Sequence, residues 1–177
     1  MAEPTQRLFF ALWPSSELRD GLLQAVTPLR DAAEGRLIPS ENYHLTLAFL
    51  DRVPERLIPD VVTAAKFVVF QPINLALDCY GVFEQPKVLW YGSRELPESL
   101  SVLVAELRDQ LAPLVALRPE RIFQPHVSVV RQQNQLPNLE PPAKLLWQAS
   151  DFVLVHSEYG PGRANYTVME RFSAASA

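Results

Sequence analysis

Apolar residues in this chain recur at two spacings, and the change from one spacing to the other divides it into elements. Arg7–Trp13 (RLFFALW) is a short apolar run closed by Pro14, the pattern of a buried strand. Ser15 is placed to cap a helix that carries Leu18, Leu22, Val26 and Leu29 on one side. His44–Leu50 (HLTLAFL) reads as a second strand. Pro54 sits where a first helical turn tolerates proline, and Leu57, Ile58, Val61, Val62 and Ala65 continue at helical spacing. Ile73–Phe83 and Lys87–Ser93 read as strands joined in a hairpin through Glu84, Gln85 and Pro86. After Pro97 the clearest stripe of the chain predicts a helix: Leu100, Leu103, Leu107, Leu111 and Leu114. His126–Arg131 (HVSVVR) is again a strand, and a polar loop with prolines follows over Gln132–Pro142. Two last strands, Asp151–Tyr159 and Ala164–Phe172, flank the turn Gly160-Pro161-Gly162.

This order contains a repeat. A strand near Arg7 leads through a helix to His44, and a strand near Val88 leads through a helix to His126, at separations that differ by one position. Strand, helix, then a strand opening on histidine therefore occurs twice. The fold class expected is α+β: a single bilobal domain over residues 1–177, duplicated over approximately 6–93 and 87–172. Its two mainly antiparallel sheets face a central cleft, with helices on the outside.

Composition narrows the partners. At 177 residues, 48% hydrophobic and 20% charged, the chain is in the ordinary globular range. Its 16 prolines fall mostly between the periodic segments and punctuate them. No apolar run approaches the roughly 20 residues that span a bilayer, and Met1–Arg7 lacks the basic-then-apolar order of a signal peptide. The single cysteine, Cys79, excludes an internal disulfide and reads as a small buried filler in a strand. A cytoplasmic protein is expected, with no membrane partner. The net charge of −4 argues against a long nucleic-acid groove, whose affinity would come from a broadly basic surface. Most of the basic residues are arginines, however, which suit forked recognition of one phosphate.

The two histidine strands share one local pattern: His44-Leu45-Thr46-Leu47 and His126-Val127-Ser128-Val129. Alternation puts His44 with Thr46, and His126 with Ser128, on one face, roughly 6.5–7 Å apart along the strand. An imidazole and a hydroxyl at that spacing reach the same phosphate group. Opening a cyclic phosphodiester needs a base for the attacking water and an acid for the departing sugar oxygen, on roughly opposite sides. Histidine suits both tasks because its ordinary pKa of about 6.5 lies near working pH. Hydroxyls can hold the non-bridging oxygens. Three scattered histidines and one cysteine offer no close ligand pair, so no metal and no cofactor are expected.

HLTL and HVSV resemble the paired H-x-[T/S]-x signatures of the two-histidine phosphoesterases. RLFFAL, NYHLTLAFL, VLWYG, F-x-PHVSVVR and NYTVMERF resemble the bacterial RNA 2′,3′-cyclic phosphodiesterase branch, also called the 2′-5′ RNA ligase or LigT-like family. The likeness runs from about Gln6 to Phe172. It implies metal-independent hydrolysis of RNA 2′,3′-cyclic phosphate ends to 2′-phosphomonoesters, with a reversible capacity for 2′-5′ ligation. It also implies His44 as proton donor and His126 as proton acceptor, in a protein read here as a monomer. Thr46 and Ser128 are the phosphate-binding candidates, with serine replacing the more usual threonine at position 128. Arg131 is a further phosphate-binding candidate, although five positions after His126 strict alternation puts it on the opposite face.

Other substrates would use the same residues: 2′-5′-linked oligonucleotides or small cyclic nucleotide phosphates. A non-catalytic nucleotide-binding module is the alternative from another class, disfavoured because it has no need of two proton-transfer groups. His156 is followed two positions on by Glu158 and not by a hydroxyl, so it reads as structural. Phe9, Phe10, Tyr43, Phe49, Trp90 and Tyr166 are candidates for stacking on a base, against the commoner role of strand aromatics as core.

Overall fold

The computed structural model describes residues 3–119 and 122–174. The remaining positions of the expected 1–177 unit, at both ends and at 120–121, lie outside the described residues. Every strand pairing in it is antiparallel.

The first apolar run forms β1 (Thr5–Leu12). Ser15 then caps α1 (Ser16–Asp31), its hydroxyl accepting the Leu18 N–H at 3.2 Å, and Leu22, Val26 and Leu29 of the expected face are buried. A two-residue strand, β2 (Arg36–Leu37), precedes β3 (Leu45–Pro54), which begins just after His44. Pro54 closes that strand, and Pro59 takes the tolerated place in the first turn of α2 (Ile58–Lys66). The run expected as one strand from Ile73 breaks at Asp78 into β4 (Ile73–Leu77) and β5 (Cys79–Phe83). The hairpin partner of β5 is β6 (Val88–Gly92). Then follow α3 (Glu98–Leu111), β7 (His126–Arg131), β8 (Leu145–Ala149), β9 (Asp151–Gly160) and β10 (Arg163–Ser173).

Two four-stranded sheets have the orders β10-β9-β1-β3 and β2-β7-β6-β5. A third sheet, not anticipated, pairs β4 with β8. Each histidine strand lies beside the strand from which its helix departs, β3 beside β1 and β7 beside β6. One apolar core joins both lobes. It includes Phe10 and Leu45 from the first sheet, Tyr91 and Val127 from the second, and Leu22 and Leu103 from the helices. Helix α1 packs on β7 and β8, whereas α3 packs on α2 and β3, so each helix supports the histidine strand of the other half.

Strand β1 is apolar throughout because both its faces are covered. Leu8, Phe10 and Leu12 enter the main core, while Phe9 and Ala11 join Val153 and Val155 in a smaller cluster on the other face. That second face is the floor of a cleft. Strands β3 and β7 are in contact across it, which brings the two histidines toward one another.

Candidate active site

Both histidines are fixed by the carbonyl two residues before them. His44 Nδ1 lies 2.7 Å from the Asn42 carbonyl oxygen, and His126 Nδ1 lies 2.7 Å from that of Gln124. A carbonyl only accepts, so each neutral ring carries its proton on Nδ1 and leaves a lone pair on Nε2. The Thr46 hydroxyl donates to His44 Nε2 at 3.0 Å. The alternation expected of His44 and Thr46 is thus realised in a direct contact.

The carbonyls are themselves anchored. Asn42 Nδ2 donates to the Ala164 carbonyl at 2.9 Å, which ties the approach to His44 to the start of β10. Next to it, the buried Tyr43 hydroxyl takes a 2.7 Å bond from Arg30 at the end of α1. Gln124 donates through Nε2 to the Ser93 carbonyl at 2.7 Å, which holds the segment before His126 against the end of β6.

A cavity of about 680 Å³ opens between the lobes. It is lined by His44, Thr46, Ser128 and Arg131 among the expected residues, whereas His126 lies behind this lining, half-buried. Phe83 meets the His126 ring edge-on at 4.8 Å and Trp90 covers it at 6.0 Å. His44 sits among three aromatic rings: Phe9 at 4.8 Å, Tyr166 edge-on at 5.3 Å and Trp13 stacked at 5.6 Å.

Arg131 reaches the cleft through a break in strand pairing. Trp90 pairs with Ser128 but Leu89 pairs with Val130, so Val129 is an extra residue in β7 and alternation resumes one place out of step. Val129 and Val130 are both buried, and Arg131 returns to the face of His126 and Ser128. Its charge acts on the Tyr166 hydroxyl, and the two residues line the cavity together. The same skip occurs in β3, where Ala11 pairs with Thr46 and Phe10 with Ala48, leaving Leu47 extra. Phe49, five positions after His44, thereby faces the cavity as Arg131 does.

The remaining basic residues of the lining went unrecognised in the sequence. Arg7, Arg36, Arg118 and Arg163 come from separate elements, and no acidic residue joins them in the wall among the described residues. Arg7 and Arg118 lie over the Phe49 ring at 5.5 and 5.2 Å. A chain of net charge −4 thus brings five of its arginines into one cleft. The only sequence signal was the preference for arginine over lysine.

Of the aromatic candidates, Phe9, Phe49 and Tyr166 line the cavity, Trp90 covers His126, and Phe10 and Tyr43 belong to the core. His156 pairs with Leu8 and Thr167 within its sheet, away from the cavity lining. Cys79 is half-buried, not fully enclosed, and its thiol donates to the Gly92 carbonyl at 3.5 Å. No group of three or more His, Cys, Asp or Glu among the described residues is arranged to hold a metal ion. Among the described residues no helix is long and apolar enough to cross a membrane.

Burial makes the imidazolium unfavourable at both histidines. Desolvation pushes the pKa of His44 down to about 4, opposed by the Asn42 carbonyl and assisted by the nearby His126 and Arg131. Desolvation also lowers that of His126, again opposed by the carbonyl before it.

A cationic cleft with an imidazole–hydroxyl strand entering from each lobe is suited to phosphoester chemistry, which places the chain among phosphoesterases. Comparison with known proteins gives the family. The model of the LigT like Phosphoesterase family matches residues 12–90. The RNA 2′,3′-cyclic phosphodiesterase of Escherichia coli (strain K12) is 30% identical over 174 residues, 98% of either chain. The protein of that name from Thermus thermophilus is 31% identical over 94% of this chain and 89% of its own. The crystal structure of E. coli LigT complexed with 3′-AMP superposes with a TM-score of 0.89 at 29% identity, covering 98% of this chain and all of that one. The chain belongs to the LigT-like phosphoesterase family.

Proposed function

We propose that this protein hydrolyses 2′,3′-cyclic phosphate ends of RNA to 2′-phosphomonoesters by acid–base catalysis with two histidines. The observation that carries this reading is the matched setting of the two imidazoles. Each has Nδ1 committed to a backbone carbonyl, which leaves Nε2 as the proton-transfer atom. The names of the relatives support the substrate class.

In this reading His126 Nε2 takes a proton from water as its oxygen bonds to phosphorus. The bond from phosphorus to O3′ breaks, and His44 Nε2 gives its proton to O3′, leaving the phosphate on O2′. Thr46, Ser128 and Arg131 hold the non-bridging oxygens, whose charge must be stabilised in the transition state. With a 5′-hydroxyl in place of water as the nucleophile, the same transfers join it to the phosphate in a 2′-5′ linkage. We read the chain as a cytoplasmic monomer with no resident metal. We also read it as one duplicated bilobal unit, which the extra residue at Leu47 and again at Val129 supports.

The test is conversion of a short RNA ending in a 2′,3′-cyclic phosphate, with a chelator present, by wild type, His44→Ala and His126→Ala. Loss of about 10²–10⁴-fold in each variant is expected from removing one acid or base. Unchanged turnover in either variant would overturn the assignment. Binding of RNA ends with no conversion by the wild type would point to a non-catalytic module.

A further inference from the structure

Resting on that reading, we propose that Arg36 and Arg163 form a second phosphate subsite for the 5′-phosphate of the terminal nucleotide. The cleft then selects RNA ends, or 5′-phosphorylated nucleotides, over isolated nucleoside 2′,3′-cyclic phosphates.

The first observation is a like-charge pair. Arg36 on the edge strand β2 is the direct cross-strand partner of Arg131 on β7. Direct partners share a face of the sheet, and both arginines line the cavity. Like charges placed opposite each other destabilise a sheet. Neither has an ion-pair partner among the described residues, since the ion-paired arginines are Arg7, Arg56, Arg94, Arg163 and Arg171. The repulsion is not offset within the chain, and an anion between the strands would offset it.

The second observation is how the donors are used. Arg131 shares the face of Ser128 and is assigned in the proposed function to the reacting phosphate. Arg36 stands one strand further out. It spends one bond of 3.2 Å on the Gly162 carbonyl, which leaves most of its five N–H donors available. Arg163, across the cleft on the β9–β10 hairpin, is held only by Glu41 at 3.8 Å, with both side chains more than half exposed. Arg36, from the second sheet, reaches the carbonyl of Gly162, the residue before Arg163 on the first sheet, and both arginines line the cavity.

Position supplies the third. With Val129 as the extra residue, Arg131 lies two pairing positions along β7 from Ser128, roughly 6.5–7 Å at strand rise, and Arg36 is roughly 5 Å further across the sheet. In an RNA end, one ribose separates the cyclic phosphate from the phosphate on O5′. That group is the next anion of the substrate, and the Arg36–Arg163 pair is the next cationic pair of the cleft.

Two measurements test this. Turnover compares adenosine 2′,3′-cyclic phosphate with its 5′-phosphorylated form. Binding compares 2′-AMP with adenosine 2′,5′-bisphosphate by calorimetry. The wild type is expected to favour the 5′-phosphorylated partner by roughly 10-fold or more in both, the scale of an exposed charge-assisted contact. Arg36→Gln and Arg163→Gln should each erase most of that preference, while Lys66→Gln, on α2 outside the cleft, keeps it. No preference in the wild type, or a preference that survives in Arg36→Gln, overturns the subsite. If Arg36 served only to strap the hairpin through Gly162, its loss would weaken both ligands equally. Absence of turnover on either substrate would count against the proposed function, while the binding ratio would still decide the subsite.

Discussion

The protonation of His44 is set by what occupies the cleft, and this can be measured directly. In the empty protein its pKa is pushed from 6.5 to about 4, equivalent to about 3 kcal/mol against the imidazolium. At pH 7 only about one molecule in a thousand would then carry the proton that a general acid must donate. A bound phosphate reverses the balance. One unit of negative charge about 4 Å from the ring contributes about 4 kcal/mol at an effective dielectric constant near 20. That exceeds the penalty, so His44 in the complex should titrate at or above its ordinary value. The assay is a pH titration of the histidine ring resonances by NMR, assigned with single His→Gln variants, with and without saturating 2′-AMP. The His44 midpoint should rise by more than one pH unit on binding, and calorimetry between pH 4.5 and 6 should detect proton uptake. A free-state midpoint at or above 6.5, or a midpoint that 2′-AMP leaves unmoved, would refute the reasoning.

Three further outcomes follow from the same geometry. The unfolded chain protonates His44 below about pH 6.5 while the folded chain resists to about 4, so acidification through that window favours unfolding; urea melts at pH 7 and 4.5 should show a smaller acid loss in His44→Gln, by up to about 3 kcal/mol. Thr46→Val keeps the shape but removes the hydroxyl, and kcat should fall by about 10²–10³-fold with little change in urea stability. A Cβ at Gly81 would overlap the Trp90 ring, so Gly81→Ala should cost roughly 1–3 kcal/mol in a urea melt and lower turnover by displacing the ring that covers His126.

The elements that carry the histidines were legible because their information is local. Alternation over HLTL and HVSV, a serine cap and a leucine stripe each act within a few residues. What failed depended on pairing. The run from Ile73 to Phe83 has no break in its apolar pattern strong enough to split it, yet Ile73–Leu77 pairs with β8 while Cys79–Phe83 pairs with β6. The β8 sequence, LLWQA, stood unassigned between a proline-bearing loop and a long strand. Strand β2 has only two residues and no periodicity to detect, yet it delivers Arg36. The arginines of the wall are tens of positions apart on different elements, and the net charge averages them away.

Strand alternation also gave the wrong face for Arg131, and the reason bears on mechanism. The extra residue at Val129, like that at Leu47, can be recognised only from the partner strand. The two skips bring matched positions into one cleft with opposite chemistry: an aromatic ring at Phe49 and a guanidinium at Arg131. Backbones of similar course thus produce an asymmetric cleft. His44, ringed by three aromatic groups and exposed to the field of Arg131, meets the larger set of influences against its cation. An imidazole whose cation is opposed by burial holds its proton only while a phosphate lies beside it. As the phosphate–O3′ bond breaks and negative charge moves to the leaving oxygen, the desolvation that opposed the imidazolium favours release of its proton. In the proposed mechanism His44 donates from this setting and His126 accepts.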